Sequence, residues 1–253
     1  MKNIKSIISP YANVLDKINS NNLETQFIFG ENIEVLKTKN NWTYCKSIND
    51  KYFGWVKTKK IGDYFKPNYY VSNTLTYAFK NPDLKSPIIF KYYMNSKVNV
   101  IDECDKWFVI NFNMNKFGYI PKNHLQKINF FDHDWVNKSL KFENTPYVWG
   151  GKTIEGIDCS GLTQLVLENS ILNMPRNSSD QLKFNTNKFI NTKLVERGCL
   201  LFWKGHVAIS ISKTKVIHSN AHHMKVTIEK LNDVKRRIEK TEGRLIGIKK
   251  IKI

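Results

Sequence analysis

The sequence predicts two small β-barrels in tandem, followed by an α+β domain in which helices precede an antiparallel sheet. Three observations predict this. A set of short apolar strands occurs twice, 65 residues apart. After Phe130 helical spacing replaces strand alternation. From Gly198 onward the chain runs through five apolar or alternating segments, CLLFW, HVAISIS, KVIHS, KVTIE and LIGIKKIKI, which read as strands. The chain has 253 residues, 41% of them hydrophobic. That is enough apolar material to exclude wholesale disorder, and at about 100–200 residues per domain it allows one large domain or two to three small ones. The boundaries drawn are 1–66, 67–129 and 130–253.

The first barrel opens on Ile33-Glu34-Val35-Leu36, followed by Trp42-Thr43-Tyr44-Cys45 and Gly54-Trp55-Val56. The second repeats the order with Val98-Asn99-Val100-Ile101, Trp107-Phe108-Val109-Ile110 and Gly118-Tyr119-Ile120. First strand to Trp is nine residues in both copies, and Trp to Gly is twelve and then eleven. Polar turns separate the strands, and a Gly before an aromatic on the third strand permits a tight bend. With these intervals the repeat resembles a pair of bacterial SH3-type (SH3b) modules, over residues 28–60 and 88–128. Trp42, Trp55 and Trp107 also fit plain barrel core and rim.

In the third domain Trp135, Val136, Leu140 and Phe142 give a helix over Asp134–Glu143. A turn at Asn144-Thr145-Pro146 and the Gly150-Gly151 pair follow. Cys159–Asn169 then places Leu162, Leu165 and Val166 on one helical face behind Asp158, a good N-cap.

Cys159 opens that helix, where the helix dipole and unpaired N–H groups are expected to lower its pKa and favour the thiolate. His206 and His218 follow, 47 and then 12 residues on. A hairpin between their strands would bring both rings to the helix, His206 as proton acceptor and His218 as its orienter. Taken singly, such a Cys is more often a buried small hydrophobe and such a His a structural one.

The surrounding series changes that balance: Pro146-Tyr147-Val148-Trp149-Gly150-Gly151, Asp158-Cys159-Ser160-Gly161-Leu162, Pro175-Arg176-Asn177-Ser178 with Gln181, Gly198-Cys199-Leu200, His206-Val207-Ala208-Ile209 and Ile217-His218. In this order it resembles the NlpC/P60 cysteine peptidases, a papain-like family that cuts cell-wall peptides. The resemblance implies Cys159 as nucleophile, His206 as base, His218 as the polar orienting residue and Tyr147 as an oxyanion donor. One departure is Cys199, which stands where the family usually has a turn-supporting Asp. The peptidase behind two SH3b modules further resembles the γ-D-glutamyl-L-diamino-acid endopeptidases of dipeptidyl-peptidase VI type, in which the first SH3b module roofs the cleft and admits only a free N-terminal L-Ala. That resemblance implies Asp158 and Ser160 as binders of the ammonium, Ser178 as a further wall and Trp149 as an aromatic flank, with Glu31 and Tyr52 contributed by the first barrel. For Asp158 a plain helix cap stands beside this role.

The formal charge of +18 comes from 40 Lys+Arg against 22 Asp+Glu, and arginine accounts for only five of the cations. Nucleic-acid readers favour the arginine fork, so codon bias explains most of the excess, and a small acidic peptide rather than nucleic acid is the expected partner. Gly151-Lys152-Thr153 lacks the upstream Gly of a P-loop, and Lys235-Arg236-Arg237 and Lys249-Lys250-Ile251-Lys252 read as solvated charge. The four cysteines have neither CxxC nor zinc spacing, so no metal and no cofactor is expected. Polar residues interrupt Met1–Ser20, and no run reaches the roughly 18–20 apolar residues of a membrane span. The expectation is a cytoplasmic monomer, not membrane-bound, that hydrolyses the γ-D-glutamyl–diamino-acid bond of recycled muropeptides. An exported hydrolase of intact wall, a non-catalytic SH3b wall-peptide binder, and a related thiol amidase or acyltransferase are the alternatives.

Overall fold

The computed structural model describes residues 2–113, 116–131, 133–169, 173–185 and 189–251. The chain forms two compact units, Met1–Phe130 and Phe131–Ile253.

In the first unit, β1 (Ile4–Ile7), β2 (Tyr11–Leu15), β3 (Leu23–Ile28), β4 (Asn32–Lys39), β5 (Trp42–Ser47), β6 (Phe53–Lys57) and β7 (Ile61–Asp63) form an antiparallel sheet in the order β3-β2-β6-β5-β4-β1-β7. A second sheet contains β8 (Tyr69–Val71), β9 (Leu75–Phe79), β10 (Ile88–Tyr93), β11 (Lys97–Cys104), β12 (Trp107–Asn113), β13 (Lys116–Pro121) and β14 (Leu125–Lys127). Its order is β10-β9-β13-β12-β11-β8-β14, so each strand occupies the place of the one seven earlier. The irregularity repeats too. The β4–β5 ladder slips between Val35 and Lys37, and the β11–β12 ladder slips between Val100 and Asp102, a bulge that bends each sheet at the same point.

Period-two alternation fills each barrel. Ile7, Val14, Phe27, Ile33, Cys45 and Val56 meet in the first, and Val71, Ala78, Tyr92, Val98, Ile110 and Ile120 in the second. Phe29 crosses over. It follows β3 of the first barrel yet packs in the second core, edge-on to Tyr92 at 4.9 Å and Phe90 at 5.4 Å. The Lys97 amide donates to the Phe29 carbonyl at 2.9 Å. Gly30 beside it has φ 76°, and a Cβ there would lie 2.2 Å from the Lys97 carbonyl oxygen, so only glycine fits this seam.

The second unit begins with α1 (Trp135–Leu140), capped by Asp134, whose side chain accepts from the Asn137 amide. The short pair β15 (Lys152–Thr153) and β16 (Gly156–Ile157) leads into α2 (Cys159–Leu167) and α3 (Ser178–Lys183). Then come β17 (Phe189–Asn191), β18 (Cys199–Trp203), β19 (His206–Ser210), β20 (Lys215–Asn220), β21 (Lys225–Lys230), α4 (Leu231–Glu239) and β22 (Gly247–Ile251). The six strands form an antiparallel sheet in the order β17-β22-β18-β19-β20-β21. Cys199, Leu201, Trp203, Ala208 and Val216 form one face with Leu231, Val234 and Ile238 of α4. The alternate residues Leu200, Phe202, Val207 and Ile209 are also buried, and α2 packs against β19 and β20. Both faces are covered, which is why CLLFW is apolar throughout. Helices α3 and α4 are not expected from the sequence, and α4 carries little signal. Its i, i+3, i+7 apolar spacing is hidden among charged residues, and Lys235-Arg236-Arg237, taken as solvated charge, lies within it.

Candidate active site

Asp158 builds the start of α2. Its Oδ1 accepts the Gly161 amide at 2.7 Å and the Ser160 hydroxyl at 3.2 Å, and its Oδ2 accepts the Gly150 amide at 2.8 Å. Gly151 lets that loop close, since a Cβ on it would lie 2.4 Å from the Gly156 carbonyl oxygen. Arg176 completes the cage, with Nη1 to Asp158 Oδ1 at 3.0 Å, Nη2 to Oδ2 at 2.6 Å, and Nη1 to Ser160 Oγ at 2.8 Å. Asp158 and Arg176 are 6% and 3% exposed, so this is a buried bidentate ion pair. The cap expected of Asp158 is present. Five protein donors occupy its two oxygens, two of them from the Arg176 guanidinium. Ser160 is held in the same cage. Arg176 lies in the Pro175–Ser178 motif, but its pairing with a residue 18 positions away leaves no periodic signal in the sequence.

Cys159 stands at the first turn of α2, with the Val207 and Ser160 backbone N–H groups directed at its sulfur. Val207 follows His206 on β19, so the fold brings thiol and imidazole strand to one place. His206 Nε2 lies 2.7 Å from His218 Nδ1, and His218 Nε2 lies 2.8 Å from Glu229 Oε2. Arg237 holds both oxygens of Glu229, at 2.6 and 2.7 Å. On β20 and β21 His218 pairs with Thr227 and Val216 with Glu229, so His218 and Glu229 share a sheet face as diagonal neighbours. Glu229 and Arg237 were both missed: one sits in an ordinary-looking strand, the other in the overlooked helix.

The expected thiolate does not survive burial. Desolvation comes first and, with the Asp158 carboxylate, pushes the Cys159 thiol up to about 12, while the Val207 and Ser160 amides and Arg176 pull the other way. Burial likewise holds His206 down to about 3, helped by His218 and Arg237. Desolvation outweighs the helix dipole here, and thiol and imidazole rest as a neutral pair. Burial, then Cys159 and Asp158, raise Tyr147 above the ordinary phenol range. It therefore stays a hydroxyl donor beside the sulfur.

The other expected residues fall as follows. Ser178 opens α3, where Gln181 donates to the carbonyls of Ser160 and Pro175 at 3.0 and 2.9 Å. Trp149 is 69% exposed on the loop before Gly150. In the barrel unit the Tyr52 hydroxyl donates to Glu24 at 2.8 Å. Glu31 is buried, and its carboxylate accepts the Ile28 amide at 3.2 Å, so there it closes a turn of its own barrel. Cys199, in place of the turn-supporting Asp, keeps a weaker form of that support, with its sulfur accepting from the Glu196 amide at 3.5 Å. A groove of about 590 Å³ lies in the barrel unit beside Asn3, Thr38, Asn99 and Tyr64, and its lining holds no nucleophile–base pair.

Both units have counterparts among known proteins. Residues 144–240 match the NlpC/P60 family, and residues 14–61 match the bacterial dipeptidyl-peptidase SH3 domain. Dipeptidyl-peptidase 6 of Lysinibacillus sphaericus is 24% identical, over 83% of this chain and 85% of that protein. A γ-D-glutamyl-L-lysine dipeptidyl-peptidase of Bacillus cereus is 24% identical, over 85% of this chain and 72% of its own. The crystal structure of an NlpC/P60 family protein from Bacillus cereus superposes with a TM-score of 0.82 at 19% identity, covering 97% of this chain and 98% of that one, which shows the same fold.

Proposed function

We propose that this chain, which carries an NlpC/P60 cysteine peptidase domain behind SH3-like β-barrels, hydrolyses the bond between γ-D-glutamate and a diamino acid in muropeptides with a free N-terminal L-Ala. The observation that carries the reading is the Cys159 thiol at the start of α2 with the Val207 amide of the His206 strand turned to it, together with the His206–His218–Glu229 chain of hydrogen bonds. The chemistry runs from neutral reactants. As the sulfur attacks the γ-carbonyl, the thiol proton passes to His206, whose Nε2 is already engaged by His218, so Nδ1 takes it. The Cys159 amide and the Tyr147 hydroxyl are the proposed donors to the oxyanion. His206 then protonates the leaving amine, and water releases the acyl group as L-Ala-D-Glu.

The finer substrate choice draws on the relatives' names. A dipeptidyl-peptidase reads a free N-terminus, and the γ-D-glutamyl-L-lysine name supplies the bond. Asp158, shared with Arg176, and Ser160 are the proposed readers of the amine, with Trp149 and Ser178 as flank and wall. Small acidic peptides are the proposed partners, the net charge of +18 favouring their approach, and the proposed setting is muropeptide recycling by a cytoplasmic monomer.

The test is incubation with L-Ala-γ-D-Glu-diamino-acid tripeptide. Wild type is expected to release L-Ala-D-Glu and Cys159→Ala none, and no release by wild type would overturn the assignment. Acetylating the substrate amine is expected to abolish cleavage, whereas equal rates would remove the dipeptidyl specificity. Cleavage of intact sacculi in preference to the tripeptide would favour a wall hydrolase.

A further inference from the structure

We propose that Glu229, clamped by Arg237, is the positioning residue that fixes the proton on each nitrogen of the His218–His206 pair and so leaves His206 Nδ1 bare toward Cys159. The proposal rests on the reading of Cys159 and His206 as nucleophile and base.

The argument is one of hydrogen-bond complementarity. Burial pushes the Glu229 carboxyl up, but hydrogen bonds from His218 and Arg237 outweigh it and hold the group well below the usual range. An ionised carboxylate only accepts. His218 Nε2, 2.8 Å away, therefore carries its proton. Burial keeps His218 neutral against the pull of Glu229, so its Nδ1 is bare and accepts. His206 Nε2, 2.7 Å from that atom, must then be the donor. Neutral His206 is left with an unprotonated Nδ1, the tautomer a thiol proton requires.

Arg237 supplies the balance. Its guanidinium takes both carboxylate oxygens of Glu229, and His223 Nε2 adds a contact at 3.3 Å. Asn220 Nδ2 stays 3.4 Å from His218 Nε2 and is spent on Thr227 Oγ1 at 2.9 Å. The Trp203 ring flanks His206, at 6.0 Å between centroids. Glu229 thus orients the pair through a neutralised anion. When His206 takes the thiol proton, that anion lies at the far end of the chain to stabilise the imidazolium.

The experiment is long-range ¹H–¹⁵N NMR of the histidines in the whole protein, beside steady-state kinetics on the tripeptide. In wild type, His218 and His206 are both expected with Nε2 protonated and Nδ1 bare. Glu229→Gln is isosteric but can donate, and it is expected to give a mixture of tautomers and to lower kcat by about 10²–10⁴-fold with KM within about threefold. Glu229→Asp is expected to restore the wild-type tautomers and part of kcat. A wild-type spectrum with His206 protonated at Nδ1 overturns the proposal, as does a Glu229→Gln protein with unchanged tautomers and kcat within about threefold of wild type. The spectra need no substrate, so they decide the matter even if the tripeptide proves to be the wrong peptide.

Discussion

The two units are built from different materials. In the barrel unit the clustered core is apolar, laid down by strand alternation, and the buried carboxylate Glu31 serves a turn. In the peptidase unit the decisive contacts are between ionisable groups on different elements: Arg176 on Asp158, and Arg237 on Glu229 on His218. Alternation builds a scaffold that tolerates substitution of one apolar residue by another of similar volume. A buried charge network tolerates little, because removing one member leaves the charge of another buried and unbalanced. The catalytic unit carries the stricter constraints, and the variants that separate the two units should act there first.

The largest effect is expected at Arg176. Replacing it by Met removes the guanidinium and leaves the Asp158 carboxylate buried with only backbone and hydroxyl donors. Breaking such a pair costs about 3–5 kcal/mol, and hydrogen exchange measured peptide by peptide should show α2 and the Gly150 loop opening while the barrel strands keep their protection. The double change Arg176→Met with Asp158→Asn removes the stranded charge and should recover much of the loss. If the single variant loosens the barrels as strongly as α2, the division of labour between the units is wrong.

A graded effect is expected with pH, and its sign differs between the two ends of the range. His206 titrates at about 3 in the fold, below the roughly 6.5 of an unfolded chain. Between those values the unfolded chain binds the extra proton. Stability is therefore full above about pH 6.5 and is lost as the pH falls toward 3. His218 and Glu229, both lowered, act in the same direction, Glu229 below its ordinary range. In the barrel unit burial lowers only His124 among the histidines described there, while the lowered Asp16 and Asp63 are exposed and screened by solvent. Acid should therefore open the peptidase unit first. Alkali should not discriminate, because burial raises Cys159 and Cys45 alike to about 12, and both units lose stability as pH rises past the ordinary thiol value. Exchange profiles at low, neutral and high pH check both limbs.

What the sequence made legible follows the same divide. The barrel duplication could be read from the Ile33–Trp42 and Val98–Trp107 intervals because strand alternation is local and periodic. The start of α2 could be read because an N-cap and its helix are neighbours. Phe29 could not be placed, since nothing local says that a residue after β3 fills the next barrel. Arg237 was set aside as surface charge because its helix carries only Leu231, Val234 and Ile238 as apolar markers, and its partner lies on the preceding strand. The thiolate expectation failed for a physical reason as well. A sequence shows that Cys159 begins a helix, but not how deeply the helix start is buried, and burial decides the sign.

The smallest effect tests the duplication itself. The β4–β5 and β11–β12 hairpins both close with two residues, Lys39 pairing Trp42 and Cys104 pairing Trp107. In each the first loop residue has positive φ, 52° at Asn40 and 44° at Asp105. Glycine is the natural occupant of that position in a two-residue hairpin, and asparagine and aspartate enter the left-handed region at a modest cost. Asn40→Gly and Asp105→Gly should each relieve that strain while adding flexibility to the unfolded chain. The two terms nearly cancel, so each variant should lie within about 0.5 kcal/mol of wild type, with the same sign in both copies. Urea denaturation followed by barrel-strand exchange reads the difference. Opposite signs would mean that the two hairpins share a topology but not a backbone energy, and that the copies have diverged at the level of single turns.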